Sequence, residues 1–188
     1  NIDITNKDLK KGNTRNVDYT DYEEDIYVGY RYFDSFNKQV SYPFGYGLSY
    51  TTFKYDNPTI EASNGLYTVR VDVTNTGKVS GKEVVQLYVS APDAAKANKP
   101  AKELKAFAKT AELKPGEKAS IVLTVNAKDL ASFDAATSSW TVSEGEYKFL
   151  VGASSRDIKA TLKANVAAST EKANDILKPQ QELKLLKR

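Results

Sequence analysis

The stretch from residue 66 to residue 77, LYTVRVDVTNTG, decides the fold. Polar side chains alternate in it with apolar ones, which stand at Tyr67, Val69, Val71 and Val73. A period of two residues places the two sets on opposite faces of an extended chain. The stretch therefore predicts a β-strand with one buried face, and the Asn-Thr-Gly that ends it predicts a turn.

Two further strands are predicted downstream. In residues 81–93, GKEVVQLYVSAPD, apolar side chains again alternate, and Pro92 prevents the hydrogen-bonded ladder from continuing. In residues 102–113, KELKAFAKTAEL, Leu104 and Phe107 are out of strict register. This irregularity predicts a β-bulge.

The same pattern continues towards residue 166. Residues 118–125, KASIVLTV, carry apolar side chains that divide between the two faces, Val122 among them, which predicts a strand covered on both sides. Residues 127–134, AKDLASFD, predict a single helical turn or a short connector. Residues 138–155 and 158–166 complete the series. About seven short strands separated by turns are typical of an antiparallel β-sandwich of the immunoglobulin or fibronectin type III kind, so we expect a mainly β fold.

Composition predicts three parts of the chain. Nine of the 12 tyrosines precede residue 56, whereas the rest of the chain is rich in Val, Ala, Thr and Lys. We therefore expect an N-terminal segment at 1–55, a sandwich domain at 56–168 and a tail at 169–188. In the tail, Ser169 or Thr170 is the predicted N-cap of a helix that Pro179 stops, or else the tail is a linker. It is expected to be an exposed end or a connection to a further domain.

Bulk composition excludes several classes of function. Lys and Arg total 27 against 24 Asp and Glu, a near balance that argues against a nucleic-acid partner. No run approaches the roughly 18 apolar residues that cross a bilayer, so no membrane association is predicted. The compartment is left open, because the chain has no cysteine. The absence of methionine and the start at Asn1 lead us to expect part of a longer protein.

The residue types present restrict the chemistry. Without histidine or cysteine, no imidazole base, thiol nucleophile or metal site built on these side chains is possible. The glycines stand singly rather than in a phosphate-binding loop, so no cofactor is predicted. Carboxylates remain, in a run that Arg31 and Asp34 follow: Asp18, Asp21, Glu23, Glu24 and Asp25.

This acidic run has two interpretations. A pair of carboxylates about 5 to 9 Å apart can hydrolyse a glycosidic bond, but adjacent residues rarely meet that geometry. We favour solvated charges with a structural salt bridge for Arg31 over a supporting role near a site. The alternation of Ile26, Val28 and Tyr30 predicts an extended conformation at this point.

The aromatic stretch at 42–55, YPFGYGLSYTTFKY, also has two interpretations. Exposed tyrosines, together with Trp140, could stack on sugar rings in a carbohydrate-binding module. Alternatively, the rings fill the joint between the N-terminal segment and the sandwich, with Gly45 and Gly47 allowing close approach of the backbone. We favour packing at the joint.

Two long motifs, VDYTDYEEDIYVGYRYFD at 17–34 and YPFGYGLSYTTF at 42–53, resemble glycoside hydrolase family 3, the β-glucosidase and β-xylosidase enzymes. They are similar to the end of that family's α/β sandwich domain, and the later strands resemble its fibronectin type III-like domain. The resemblance implies that residues 1–55 are the remnant, at its C-terminal end, of the α/β sandwich domain, together with the segment that connects the two domains. It also implies a retaining glycosidase that acts on β-linked oligosaccharides.

The family's catalytic residues are not carried by this chain. Its nucleophile is an aspartate on a (β/α)8 barrel, whereas Trp140 here follows Ser139 in a predicted strand. Its acid/base glutamate lies upstream of the segment that matches, so neither Glu23 nor Glu24 receives that role. We therefore predict no catalytic, substrate-binding, cofactor-binding or metal-binding residue in this chain and no hydrolysis by it alone.

The predicted function is thus a non-catalytic structural portion of a β-glucosidase-like enzyme. Its predicted partners are the remaining catalytic domains and, through them, the oligosaccharide substrate. A homo-oligomer of this chain stays open as well. In some members of the family the barrel follows the fibronectin-like domain, and the tail would then lead into it. Two alternatives stay open: an independent carbohydrate-binding module, and a fibronectin-type spacer or adhesion domain.

Overall fold

The computed structural model describes residues 22–174, 176 and 185–187. These residues form ten strands, one short α-helix and one 3-10 helix. The helices are α1 (Tyr30–Ser35) and the 3-10 helix Ala127–Leu130. The strands are β1 (Phe53–Ser63), β2 (Leu66–Asn75), β3 (Val84–Ser90), β4 (Glu103–Lys109), β5 (Lys118–Asn126), β6 (Ser132–Asp134), β7 (Ser139–Val142), β8 (Gly145–Gly152), β9 (Ile158–Val166) and β10 (Ser169–Lys172).

The strands pair into three antiparallel sheets, ordered β1-β2-β5, β4-β3-β8-β9 and β10-β7-β6. One hydrophobic core joins the first two sheets, since apolar side chains of β2 and β5 pack with those of β3 and β8. The predicted mainly β sandwich of the fibronectin type III kind is therefore confirmed.

Strand β2 has the one buried face that its alternating side chains predicted. Val69, Val71 and Val73 are buried in the core, while Arg70 between them is exposed. The predicted β-bulge is confirmed as well, because the register of β3 on β4 shifts where Tyr88 pairs with Leu104. The predicted helical turn after β5 is the 3-10 helix.

Three local predictions were wrong. Strand β5 is covered on one face only: Leu123 is buried, but Val122 is 46% exposed. Tyr30 begins helix α1 instead of continuing an extended segment. The predicted helix start at Ser169 is strand β10, which pairs with β7 in the register Ser169 with Val142. Pro179, the predicted end of that helix, lies outside the described residues.

Strand β1 contains an irregularity of its own. Its pairing with β2 shifts between Asp56 and Thr59, so that Asn57 and Pro58 together stand opposite one residue of β2. Asn57 has a positive φ of 50°. This is the geometry of a β-bulge, in which proline is tolerated because no ladder hydrogen bond is required of it.

Within the described ranges, no helix has the length and apolar character needed to traverse a bilayer.

Candidate functional site

The site with the most specific geometry is the surface on which residues 22–52 lie against the four-stranded sheet. We call residues 42–52 the strap. The backbone N–H of Ser155 donates to the carbonyl of Phe44 at 2.8 Å, and that of Leu104 donates to the Tyr30 hydroxyl at 2.8 Å. The N-terminal segment and the sandwich are therefore bonded directly to each other.

Gln86 is the centre of this contact. It alternates on β3 with the core residues Val85 and Leu87, so its side chain leaves the outer face of the sheet, yet it is buried. Its Nε2 donates to the carbonyls of Gly45 at 3.2 Å and Ala153 at 2.8 Å. The strap thus covers a polar side chain whose hydrogen bonds it helps to satisfy.

Gly45 is required at this position for two reasons. Its φ is +80°, a conformation that L side chains rarely adopt, and a Cβ there would lie 2.1 Å from Oε1 of Gln86. Gly47 differs, since a Cβ at that position would meet nothing within 4 Å. The expected role in close approach therefore holds for Gly45 and was wrong for Gly47.

Aromatic stacking adds to these bonds. The rings of Tyr30 and Phe44 are stacked with centroids 4.6 Å apart, and Tyr30 meets Tyr88 edge to face at 5.9 Å. Tyr88 donates its hydroxyl hydrogen to Oε1 of Gln86. Burial raises the pKa of the Tyr88 phenol, so the hydroxyl remains a donor to a higher pH than that of an exposed tyrosine.

The far end of the strap is fixed at Thr51. Its hydroxyl donates to Oδ1 of the buried Asn75 at 2.6 Å. The Asn75 amide in turn donates to the carbonyls of Val79 at 2.8 Å and Leu113 at 2.7 Å. A Cβ on Gly77 would lie 2.1 Å from Oγ1 of Thr51, so the turn after β2 approaches the strap closely.

The outward side of the strap is open. Tyr50 is fully exposed, Leu48 is 90% exposed, and Tyr42 is mostly exposed as well. Phe107 continues this surface, because it stands opposite Gln86 across β3 and β4 and is itself largely exposed. Packing at the joint therefore accounts for the inner side of the strap, while its outer side presents apolar surface to the surroundings.

Only part of the acidic run falls within the described residues. Asp18 and Asp21 lie outside the described residues, and Glu23 and Asp25 are exposed on a turn. Arg31 forms an ion pair with Glu103 at 3.6 Å, as expected for a structural salt bridge. No group of three or more metal-ligating side chains occurs among the residues described.

Asp34 belongs to a separate network that no sequence pattern predicted. Its buried carboxylate accepts from Nε of Arg156 at 2.7 Å and pairs with Nζ of Lys102 at 3.3 Å. Arg156 also donates to the carbonyl of Lys38 at 2.7 Å. These bonds hold α1 against the loop between β8 and β9.

An open cavity of about 920 Å³ lies between α1 and residues 185–187. Glu23, Glu24, Tyr27 and Tyr32 are among its lining residues. The backbone N–H of Leu186 donates to the carbonyl of Glu23 at 2.7 Å. Glu23 and Glu24 are consecutive residues, a spacing that rarely places two carboxylates on opposite sides of a glycosidic bond.

The geometry defines a class of protein, a fibronectin type III-like sandwich with an aromatic strap bonded to its four-stranded sheet. Residues 83–155 match the family model of the fibronectin type III-like domain. The chain is 44% identical over 168 residues to β-glucosidase A of Butyrivibrio fibrisolvens, and the alignment covers 76% of this chain and 20% of that protein. It is 47% identical over 139 residues to a β-glucosidase of Kluyveromyces marxianus, with 73% of this chain and 16% of that protein covered.

Solved structures give the same result. β-Glucosidase 3B of Thermotoga neapolitana, solved in complex with glucose, matches with a TM-score of 0.77 and 48% identity over 81% of this chain and 21% of its own. The GH3 β-glucosidase of Bifidobacterium adolescentis matches with a TM-score of 0.72 and 38% identity over 82% of this chain and 23% of its own. The resemblance to glycoside hydrolase family 3 is therefore confirmed: the chain is similar to the fibronectin type III-like portion of β-glucosidases. It spans about a fifth of the length of the relatives it matches.

Proposed function

We propose that this chain is the non-catalytic structural portion of a β-glucosidase-like enzyme, and that its strap docks the catalytic domains. The enzyme as a whole would hydrolyse terminal β-glycosidic bonds in oligosaccharides, with the retaining mechanism supplied by the other domains. The observation that carries the proposal is the two-sided strap: fixed to the sandwich through Gln86 and Thr51, and open on the other side at Tyr42, Leu48 and Tyr50.

The size of the open surface supports docking. A tyrosine or phenylalanine side chain buries about 150 to 250 Å² when it is covered. The exposed strap residues and Phe107 together offer several hundred Å² of apolar surface, which is the scale of a functional contact patch. At about 25 cal/mol per Å², covering it would stabilise a domain interface substantially.

We also propose the division of the chain into an N-terminal segment at 1–55, a sandwich domain at 56–168 and a tail at 169–188, with β1 and β10 extending the sheets a few residues past the two boundaries. Residues 22–52 are bonded to the sandwich by the contacts of Gln86, Ser155 and Asp34. The N-terminal segment would thus be part of the neighbouring α/β domain in sequence while it is bonded to the sandwich. It would fix the position of the sandwich relative to that domain.

A chimeric enzyme tests this function. In Thermotoga neapolitana β-glucosidase 3B, the segment that matches this chain is replaced by the present sequence, and hydrolysis of an aryl β-glucoside and thermal inactivation are measured. The chimera is expected to be active. Replacing Tyr42, Leu48 and Tyr50 by serine should lower its inactivation temperature by several degrees, because these side chains would lie in the domain interface.

Val122→Ser is the matched control, since Val122 is also an exposed apolar side chain but lies on β5, away from the strap. Equal inactivation temperatures for the triple variant and this control would rule out docking through the strap. Hydrolysis by the purified 188-residue chain alone would contradict the non-catalytic assignment.

A homo-oligomer is the second arrangement that the open strap supports. In the absence of the catalytic domains, the same apolar surface is available to another copy. Sedimentation velocity on the chain alone is expected to show association that rises with concentration and is weakened in the triple serine variant. Association unaffected by those substitutions would place the contact elsewhere.

A further inference from the structure

A second aromatic surface lies away from the strap, on the small sheet β10-β7-β6. The rings of Phe133 and Trp140 meet edge to face with centroids 5.4 Å apart. They remain 42% and 49% exposed. Neither ring is part of the hydrophobic core, so core packing does not account for them.

The register of this sheet places a carboxylate beside the rings. Trp140 stands opposite Phe133 on β6 and opposite Glu171 on β10. Directly opposite residues of antiparallel strands project from the same face with Cβ atoms about 5 Å apart. Phe133, Trp140 and Glu171 therefore form a continuous row, which we call the aromatic row.

The residues next to the aromatic row along the strands belong to the other face of the small sheet. Asp134 and Thr141 follow the two rings, and Thr170 and Lys172 flank Glu171, so their side chains alternate away from the row. Lys172 is tethered, since its Nζ donates to the carbonyl of Thr137 at 2.6 Å. Glu171 forms no ion pair with any other described residue and is exposed to solvent.

Size distinguishes a small ligand from a protein partner. Two half-exposed aromatic rings offer on the order of 200 Å², whereas a stable protein interface buries about 800 Å² on each partner. A patch this small, with the Glu171 carboxylate beside the rings, suits a ligand that is itself apolar on one face and polar at its edges. A pyranose has this character, because its C–H face stacks on an aromatic ring while its hydroxyls need hydrogen-bond partners.

We propose that the aromatic row is a binding site for a chain of β-linked glucose residues. The indole face of Trp140 packs against a pyranose ring, Phe133 holds the indole in position, and the Glu171 carboxylate accepts hydrogen bonds from sugar hydroxyls. The choice of β-linked glucose rests on the proposed function; the presence of a sugar-binding surface does not. Such a site would keep a polymeric substrate near the enzyme without taking part in hydrolysis.

Fluorescence can report on this site directly, because Trp140 is the only tryptophan in the chain. The 188-residue chain is titrated with cellohexaose, laminarihexaose and maltohexaose while its emission and its quenching by iodide are recorded. Cellohexaose or laminarihexaose is expected to shift the emission to shorter wavelength and to reduce quenching at least twofold, with a dissociation constant of roughly a millimolar or below.

Two variants and one control sharpen the assignment. Glu171→Gln keeps the shape of the side chain and should weaken binding about fivefold, since a charged hydrogen-bond acceptor is lost. Phe133→Ala should weaken it as well, because the indole loses its neighbour. Tyr50→Ala, which removes a fully exposed ring of the strap, should leave binding unchanged.

The outcomes separate this proposal from the preceding one. Binding that survives in a chain whose chimera is inactive would support the aromatic row and contradict docking. The proposal would be overturned if no hexasaccharide changed the emission, or if maltohexaose alone protected Trp140 from iodide. It would also be overturned if protection from iodide appeared without sugar and rose with protein concentration. Loss of binding in Tyr50→Ala would move the site to the strap and overturn it as well.

Discussion

Nε of Arg156 lies 2.7 Å from Oδ1 of Asp34, although the two residues are 122 positions apart in the chain. Arg156 extends from the loop after β8, and Asp34 belongs to α1. The pair therefore bonds the N-terminal segment to the sandwich at a point where local sequence offers no sign of contact. It acts together with Gln86 and Thr51 to hold the segment along the sheet.

Arg156→Ala is expected to destabilise the chain by about 1 to 3 kcal/mol, because a buried carboxylate loses a charged hydrogen-bond partner. Urea unfolding measures the change. Lys159→Ala is the matched control: Lys159 pairs with Asp157 at 2.7 Å, but both side chains are solvent-accessible, so its loss should cost less than about 0.5 kcal/mol. Equal effects of the two substitutions would contradict a larger contribution of the buried Asp34–Arg156 pair to stability.

Gly45→Ala and Gly47→Ala should differ although they lie two residues apart. The first introduces a Cβ at positive φ and within 2.1 Å of Gln86, so we expect a loss of about 1 to 3 kcal/mol. The second meets open space and should change stability by less than about 0.5 kcal/mol. Thermal unfolding of the two variants measures the difference. A larger loss of stability for Gly47→Ala than for Gly45→Ala would contradict the close contact described between Gly45 and Gln86.

Neighbouring positions of β5 should show the one-sided burial of that strand. Leu123→Ala is expected to cost about 2 to 5 kcal/mol, because it opens a cavity in the core. Val122→Thr exchanges one β-branched side chain for another on the exposed face and should stay within about 0.5 kcal/mol. A large loss at Val122 would restore the prediction of a strand covered on both sides.

Asp72 should make folding stability depend on pH at the acid end. Hydrogen bonds from Ser120, Asn57 and Lys118 lower the pKa of Asp72 from 3.8 to about 2. Because the pKa is lower in the folded chain than in the unfolded one, the stabilisation is fully present above the unfolded value and is lost as the pH falls towards 2. Urea titrations between pH 2 and 5 should show a flatter profile for Asp72→Asn. An unchanged slope in the variant would contradict this assignment.

Local patterns were sufficient for the main architecture. The alternation at Val69, Val71 and Val73 predicted the buried face of β2, and the displaced Leu104 and Phe107 predicted the bulge opposite β3. These features depend on the period of the chain itself, which a single sequence displays. The aromatic and glycine pattern of the strap likewise predicted packing at the joint.

What the sequence did not show depends on partners distant in the chain. Ser169 has the chemistry of a helix cap, but pairing with Val142 makes it the start of a strand. The Asp34–Arg156 pair joins two segments whose proximity only the tertiary fold creates. Gln86 did carry a signal, since it is a polar residue within the apolar run VVQLYV, and a buried polar side chain implies a specific hydrogen-bond partner.

Pro58 gives the bulge of β1 a consequence for contacts between molecules. Strand β1 is an outer strand of its sheet, with β2 as its neighbour there. An outer strand with an unbroken row of amide hydrogens is a template on which another polypeptide can extend the sheet. Proline contributes no such hydrogen, and the displaced register at Asn57 turns the ladder out of line, so sheet extension from one molecule to the next is interrupted at this border.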